Sequence, residues 1–239
     1  MNFWYPPILA YHRIHPAPGH DTPTLSPEAF EQQMTLLKKR WCPIPLGTLA
    51  DWLEGKGTLP NRAVVVTFDD GTEDNFSYAY PILKQHGIPA TVFVITNNVG
   101  MSGFLKTEQI RQMAQAGVTF GSHTMGHAYL PSLTAPQIKE ELENSKKRLE
   151  DLGLPIDFLS YPAGGFTPAI IQAAKEAGYR AACTTNRGFR RFPIDPWALR
   201  RITMHGNTTS GVGLWIRCCG YYNLNRRLRQ PSISTPEPL

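Results

Sequence analysis

Two groups of residues in this chain are spaced for hydrolytic chemistry. The first is Thr67-Phe68-Asp69-Asp70-Gly71, two adjacent acids at the end of the β-branched run Val64-Val65-Val66. Such a run reads as a short strand buried on both faces, and the glycine permits a sharp exit from it. Neighbouring strand residues point to opposite sides, so Asp69 and Asp70 can approach one centre from different directions and take different roles. The second group is Gly121-Ser122-His123-Thr124-Met125-Gly126-His127, which follows the apolar piece Val118 to Phe120. Read as one helical turn, the i, i+4 spacing puts both imidazoles on the same face, where they can clamp a metal. One carboxylate and two imidazoles leave coordination positions open for water, the layout of a catalytic rather than a structural site.

Each group alone has a plainer explanation. An acid pair at a strand end is more often a turn or helix cap, and histidines fall four apart by chance. Here both follow predicted strands, in a chain with 7 histidines. That coincidence favours a site.

These residues resemble a known family. Thr67-Phe68-Asp69-Asp70-Gly71, followed by His123-Thr124 and His127, is similar to the first two motifs of the polysaccharide deacetylases, the NodB-homology or carbohydrate esterase family four enzymes. Ser160-Tyr161-Pro162-Ala163-Gly164 resembles their third motif. The resemblance spans roughly residues 7 to 205. Many members carry an arginine where this chain has Ser160, and that arginine braces the catalytic acid pair. A Tyr-Pro third motif with a Tyr-His pair near the N-terminus, here Tyr11-His12, instead resembles the branch acting on poly-N-acetylglucosamine and related exopolysaccharides.

The resemblance implies an α/β fold, an incomplete (β/α)7 barrel of NodB-homology type. It implies one divalent metal ion on Asp70, His123 and His127, with Asp69 as the general base that takes a proton from water. Zinc is the first expectation for the ion, and the same ligands suit cobalt, nickel or iron. The oxyanion is expected to face the metal and a backbone N–H of the third motif, that of Ala163 after Pro162. Two histidines compete as general acid. His12 holds that role in the exopolysaccharide branch, and His205 lies where other members place theirs. The expected substrate is an N-acetylated saccharide: an exopolysaccharide, an oligosaccharide or a lipid-linked sugar. A catalytically silent saccharide-binding relative and a C–N hydrolase acting on a small molecule are the alternatives. Tyr11, Tyr129, Tyr161, Phe166 and Trp197 are the aromatic residues placed to stack on sugars. Tyr11 and Tyr161 are favoured, because they adjoin motif residues.

The elements that must position these groups follow from pattern. Ile8 to Tyr11 is a strand delivering His12. Ser26-Pro27-Glu28 starts a helix whose buried stripe is Phe30, Met34 and Leu37, and Leu25 packs as a staple against Phe30. Helices are expected over Thr48 to Leu53, Asp74 to His86, Thr107 to Ala116, Thr134 to Leu152 and from Thr167-Pro168 to Gly178. Strands are expected over Ala90 to Ile95, Asp157 to Tyr161, Tyr179 to Thr184 and Leu199 to Met204. Such alternation makes a barrel or a doubly wound sheet. His12, Asp69 and Asp70, His123 and His127, and Tyr161-Pro162 all fall at C-terminal strand ends, which converge on one mouth in a (β/α) barrel.

Composition bounds the rest. The 239 residues suffice for one α/β domain with a large core, and the motif-bearing part is followed by an amphipathic stretch, Gly211 to Arg229, and a tail. The net charge is +5, with scattered basic residues apart from Arg200-Arg201, Arg226-Arg227-Arg229 and the loop of residues 186–192. Without a nucleic-acid motif this reads as a generally basic surface. Cys42, Cys183, Cys218 and Cys219 lack metal-site spacing and read as reduced and mostly buried. No apolar run reaches a membrane span and the N-terminus lacks a basic region, so a cytoplasmic location is expected.

Overall fold

A computed structural model of the chain describes residues 6–17, 22–185, 194–204 and 211–218. In order the strands are β1 (Ile8–Tyr11), β2 (Arg13–Ile14), β3 (Thr24–Leu25), β4 (Cys42–Pro43), β5 (Ala63–Phe68), β6 (Ala90–Val94), β7 (Thr119–Ser122), β8 (Phe158–Ser160), β9 (Ala181–Thr184) and β10 (Leu199–Thr203). The helices are α1 (Pro27–Arg40), α2 (Leu46–Leu53), α3 (Tyr80–His86), α4 (Thr107–Gln115), α5 (Ala135–Glu150), α6 (Pro168–Glu176) and α7 (Gly211–Cys218). Seven strands, β1 and β5 through β10, pair in parallel around a ring that closes where Ile8 meets both Val65 and Arg201. This is the (β/α)7 barrel expected from sequence, one strand short of the usual eight. The β7–β8 seam is the thinnest, with Ser122 and Leu159 its one registered pair.

Strand alternation builds two cores. Val64, Val66, Val92, Val94, Leu159 and Ile202 face outward, against helical residues such as Phe30, Met34, Ile110 and Leu142. Ile8, Val65, Phe93, Phe158, Cys183 and Leu199 fill the barrel, and Leu46, Leu49 and Ala50 of α2 close its N-terminal end. The valine run of the acid motif is therefore buried on both faces. Gly121 sits where β7 passes Phe93: a Cβ there would lie 2.7 Å from that ring and 2.8 Å from the Phe158 carbonyl oxygen.

Most helix boundaries follow their signals. Ser26 caps α1 by accepting from the Ala29 amide, and Gln137 accepts from the Thr134 amide ahead of α5. The stretch expected as one helix from Asp74 differs: Asn75–Ala79 is a π-helical turn, and α3 begins only at Tyr80. Pro81 has no N–H to donate back into the preceding turn, which releases the α-helical ladder there. Of the amphipathic stretch after Gly211, residues beyond Cys218 lie outside the described ones, as do Cys219 and the basic loop at 186–192.

Candidate active site

The C-terminal strand ends bring together His12, Asp69, Asp70, His123 and the third motif. β1 and β5 are knitted at this end, where the Asp69 amide donates to the Tyr11 carbonyl at 2.9 Å. His12 follows directly, and its Nε2 lies 4.0 Å from Asp69 Oδ2. Two residues just after the acid motif hold the His12 segment. The Asn75 side chain donates to the His12 carbonyl (2.9 Å), while Asp74 accepts from Arg13 Nε (2.9 Å) and the Ile14 amide (3.0 Å).

Asp69 is buried and gripped by Arg201 of β10. Nη1 donates to Oδ1 at 2.7 Å and Nη2 to Oδ2 at 2.6 Å, and Nη2 also donates to Ser160 Oγ at 2.7 Å. Burial alone would raise the Asp69 pKa. Burial is the largest single effect, yet the attractions around the carboxyl, the Arg201 charge and hydrogen bonds foremost, together outweigh it and hold the carboxyl well below its usual range. The brace that an arginine in the third motif would supply thus comes from another strand, and Ser160 leaves the room that it fills. Arg201 is the functional residue that sequence reasoning passed over, taking it for half of a basic pair. A signal existed: Leu199 and Arg201 share the inward face of a strand, and a lone cation on a buried face calls for a partner.

Asp70 points to a second group. Its Oδ1 is 3.7 Å from His123 Nε2 and 3.8 Å from His127 Nε2, and the three donor atoms lie within 4.8 Å of one another. Two ligands bound to one zinc ion at about 2.1 Å each can be at most about 4.2 Å apart, so both carboxylate–imidazole spacings suit a shared ion. His123 Nδ1 meets the Ser160 carbonyl at 2.7 Å and must donate to it, which frees Nε2 for a ligand. Burial lowers the His123 pKa to about 4 and lowers that of His127, so both rings are neutral near pH 7, the form that binds metals. Burial and then the neighbouring Asp69 charge raise Asp70 to about 6.

The helical turn expected for the histidine pair is not there. Residues 123–127 form a loop in which Thr124 (φ 64) and His127 (φ 59) are left-handed. Hydrogen bonds impose this shape. The Thr96 and Asn97 amides donate to the Thr124 and Met125 carbonyls, and Glu141 of α5 accepts from the Met125 (2.7 Å) and Gly126 (3.1 Å) amides. The rings still meet, with centroids 4.8 Å apart at 73°. Asp70 and Ala163 share the left-handed conformation, so four of the five such non-glycine residues among those described lie at this site. Strain of that kind concentrates where geometry serves function.

Two expected substrate contacts are corrected. Tyr11 is 1 % exposed, packs on Phe30 and Phe68, and donates its hydroxyl to Gln33. Tyr161 is also 1 % exposed, stacked on Phe166. Both rings belong to the wall, because an odd step along a strand turns the side chain away from the barrel mouth. Pro162 is buried and Ala163 exposed, in the turn that follows β8. His205 lies outside the described residues.

The sequence pattern of the family described as polysaccharide deacetylase matches residues 56–182, more than half of the chain. The chain belongs to the polysaccharide deacetylase family. YxkH of Bacillus subtilis (strain 168), described as a polysaccharide deacetylase, is 32% identical over 213 residues, covering 88% of this chain and 75% of its own. A poly-β-1,6-N-acetyl-D-glucosamine N-deacetylase of Staphylococcus aureus is 29% identical over 174 residues, which are 66% of this chain and 59% of that protein. Among solved structures, the Streptococcus pyogenes deacetylase PplD in complex with acetate superposes with a TM-score of 0.83 at 28% identity, covering 90% of this chain and 99% of that one. IcaB from Ammonifex degensii superposes at 0.78 with 26% identity, covering 88% and 96%. This member of the family shares their barrel, and among the described residues no helix is long and apolar enough to cross a membrane.

Proposed function

We propose that the chain is a metal-dependent N-deacetylase of amino-sugar-containing saccharides. The observation that carries this is the separation of the two acids: Asp69 is bound by Arg201, while Asp70 faces the two histidines. A saccharide-binding barrel without chemistry has no use for a buried, ionised carboxylate beside a metal-ligand set. A divalent ion such as zinc, held by Asp70, His123 and His127, would supply an acidified water and a charge opposite the developing oxyanion. Asp69 stays ionised and ready to accept the proton of that water. The Arg201 fork fixes its orientation at the expense of basicity.

The Ala163 amide, on its left-handed turn, is the proposed oxyanion donor. His12 is the proposed proton donor to the leaving amine. Its Nδ1 is buried without a hydrogen-bond partner among the described residues, and its Nε2 faces Asp69. The Staphylococcus aureus relative directs attention to β-1,6-linked N-acetylglucosamine as substrate. Acetate release from N-acetylated oligosaccharides and lipid-linked sugars, with and without chelator, tests the proposal. Release that is abolished by chelation and restored by zinc is the expected result. Undiminished release in chelator removes the metal from the reaction.

A further inference from the structure

The fold sorts the aromatic residues near the motif loops, and the one it leaves open is Tyr129. Tyr11 and Tyr161 are inside the wall. Phe166 and Trp197 are half-buried, the former against Tyr161 and the latter beneath the Lys175 ammonium, 5.5 Å from the ring centre. Tyr129 is 52 % exposed, two residues after His127. Its backbone is fixed, for its carbonyl accepts from the Ser132 amide (3.0 Å) and the Ser132 hydroxyl (2.8 Å).

The ring is seated as well. A Cβ placed on Gly165 would lie 2.2 Å from Tyr129 Cε2, 2.8 Å from its Cζ and 3.1 Å from Pro131 Cγ. Gly165 has φ −79, a conformation open to any residue, so its backbone needs no glycine. What the missing side chain supplies is room for the tyrosine. Tyr129 therefore rests on the backbone of the third-motif loop, two residues beyond Ala163, while its own backbone belongs to the loop of His127. It bridges the two loops that carry the proposed metal ligand and the proposed oxyanion donor.

We propose that Tyr129 is a stacking platform for a pyranose ring neighbouring the sugar under attack, so that the site takes linked amino sugars in preference to single ones. This rests on the deacetylase function proposed above. The C–H face of a pyranose is apolar and slightly positive at its hydrogens, which complements the negative face of an aromatic ring. A ring already held by Gly165 and Pro131 loses little freedom on binding, so more of the contact appears as affinity.

The test compares wild type, Tyr129→Ala, Tyr129→Trp, Gly165→Ala and the double variant Tyr129→Ala/Gly165→Ala. The probes are a β-1,6-linked N-acetylglucosamine pentamer, free N-acetylglucosamine and 4-nitrophenyl acetate, with pentamer binding also measured calorimetrically on chelated protein. Tyr129→Ala should raise KM and Kd for the pentamer about tenfold, leave kcat and ester turnover unchanged, and bring pentamer and monosaccharide closer together. Tyr129→Trp should bind as wild type does. Gly165→Ala, which unseats the ring, should weaken pentamer binding only while Tyr129 is present, so that the double variant matches Tyr129→Ala. Unchanged KM and Kd in Tyr129→Ala overturns the platform, as does an equal loss on pentamer, monosaccharide and ester. Wild-type protein that binds the pentamer but releases no acetate overturns the deacetylase proposal, and the platform is then decided by the Tyr129→Ala Kd. Wild-type protein that neither binds nor cleaves the pentamer overturns both.

Discussion

Arg201 holds both carboxylate oxygens of Asp69, at 2.7 and 2.6 Å, inside the barrel and over the ring of Phe93. Breaking one side of such a buried pair strands the other charge, at a cost of about 3–5 kcal/mol. Arg201→Met should lose about that much stability in denaturant titration, and Arg201→Lys less, since it keeps the charge but not the planar fork. The pair also sets an acid limit. The Asp69 pKa is lowered on folding, so its stabilisation is present above the unfolded value of about 3.9 and is lost as pH falls below it. Asp69→Asn should therefore show a flatter stability profile than wild type below about pH 4. Superimposable acid profiles would mean that Asp69 is not held ionised by the pair.

The two acids should separate by phenotype. His123→Ala and His127→Ala are expected to lose the bound divalent ion, about one per chain in wild type. Asp69→Asn is expected to keep it and lose activity by a factor of about a hundred or more. Metal analysis of purified variants beside turnover checks this. Loss of metal in Asp69→Asn would mean that the acids' roles are exchanged.

His12→Ala should leave metal content intact and slow an acetamide far more than an activated aryl acetate, because an aryloxide leaves without protonation. Equal losses on both substrates would make His12 a positioning group. A silent His12→Ala, with His205→Ala selective for the amide, would move the proton donor to His205.

Asn75 and Asp74 hold the backbone that carries His12. Asn75→Ala should lower acetamide turnover about three- to tenfold, through loss of the hydrogen bond to the His12 carbonyl and of the contacts to Thr72 and Asp74, with metal content unchanged and aryl acetate turnover nearly so. Loss of both activities together would show a general structural role for the turn after the acid motif.

Gly121→Ala should destabilise the barrel by about 1–3 kcal/mol through overpacking, since Phe93 and the Phe158 carbonyl leave no space for a methyl group. Thermal unfolding checks this. A neutral substitution would mean that the β7–β8 seam opens readily.

By itself the sequence determined what is local or periodic. The valine run, the capping signals of α1 and α5, and the repeated strand–helix alternation state their conformations through short-range sterics and hydrogen bonds. That an acid of the pair and the two imidazoles could gather at one centre was legible from residue type and strand-end position, whereas the choice of Asp70 over Asp69 came from the family resemblance and agrees with the grouping of Asp70, His123 and His127. Long-range contact decided the rest. Arg201 finds Asp69 across a gap of 132 residues, a pairing made by barrel closure and visible beforehand only as an inward-facing cation. The histidine pair resembled a helical turn, yet hydrogen bonds donated by the Thr96 and Asn97 amides and accepted by the Glu141 carboxylate bend it into a loop, overriding local preference. Tyr11 and Tyr161 adjoin motif residues but turn into the wall, whereas Tyr129 stays open. Adjacency along a strand fixes distance, and only the closed barrel fixes which way each side chain faces.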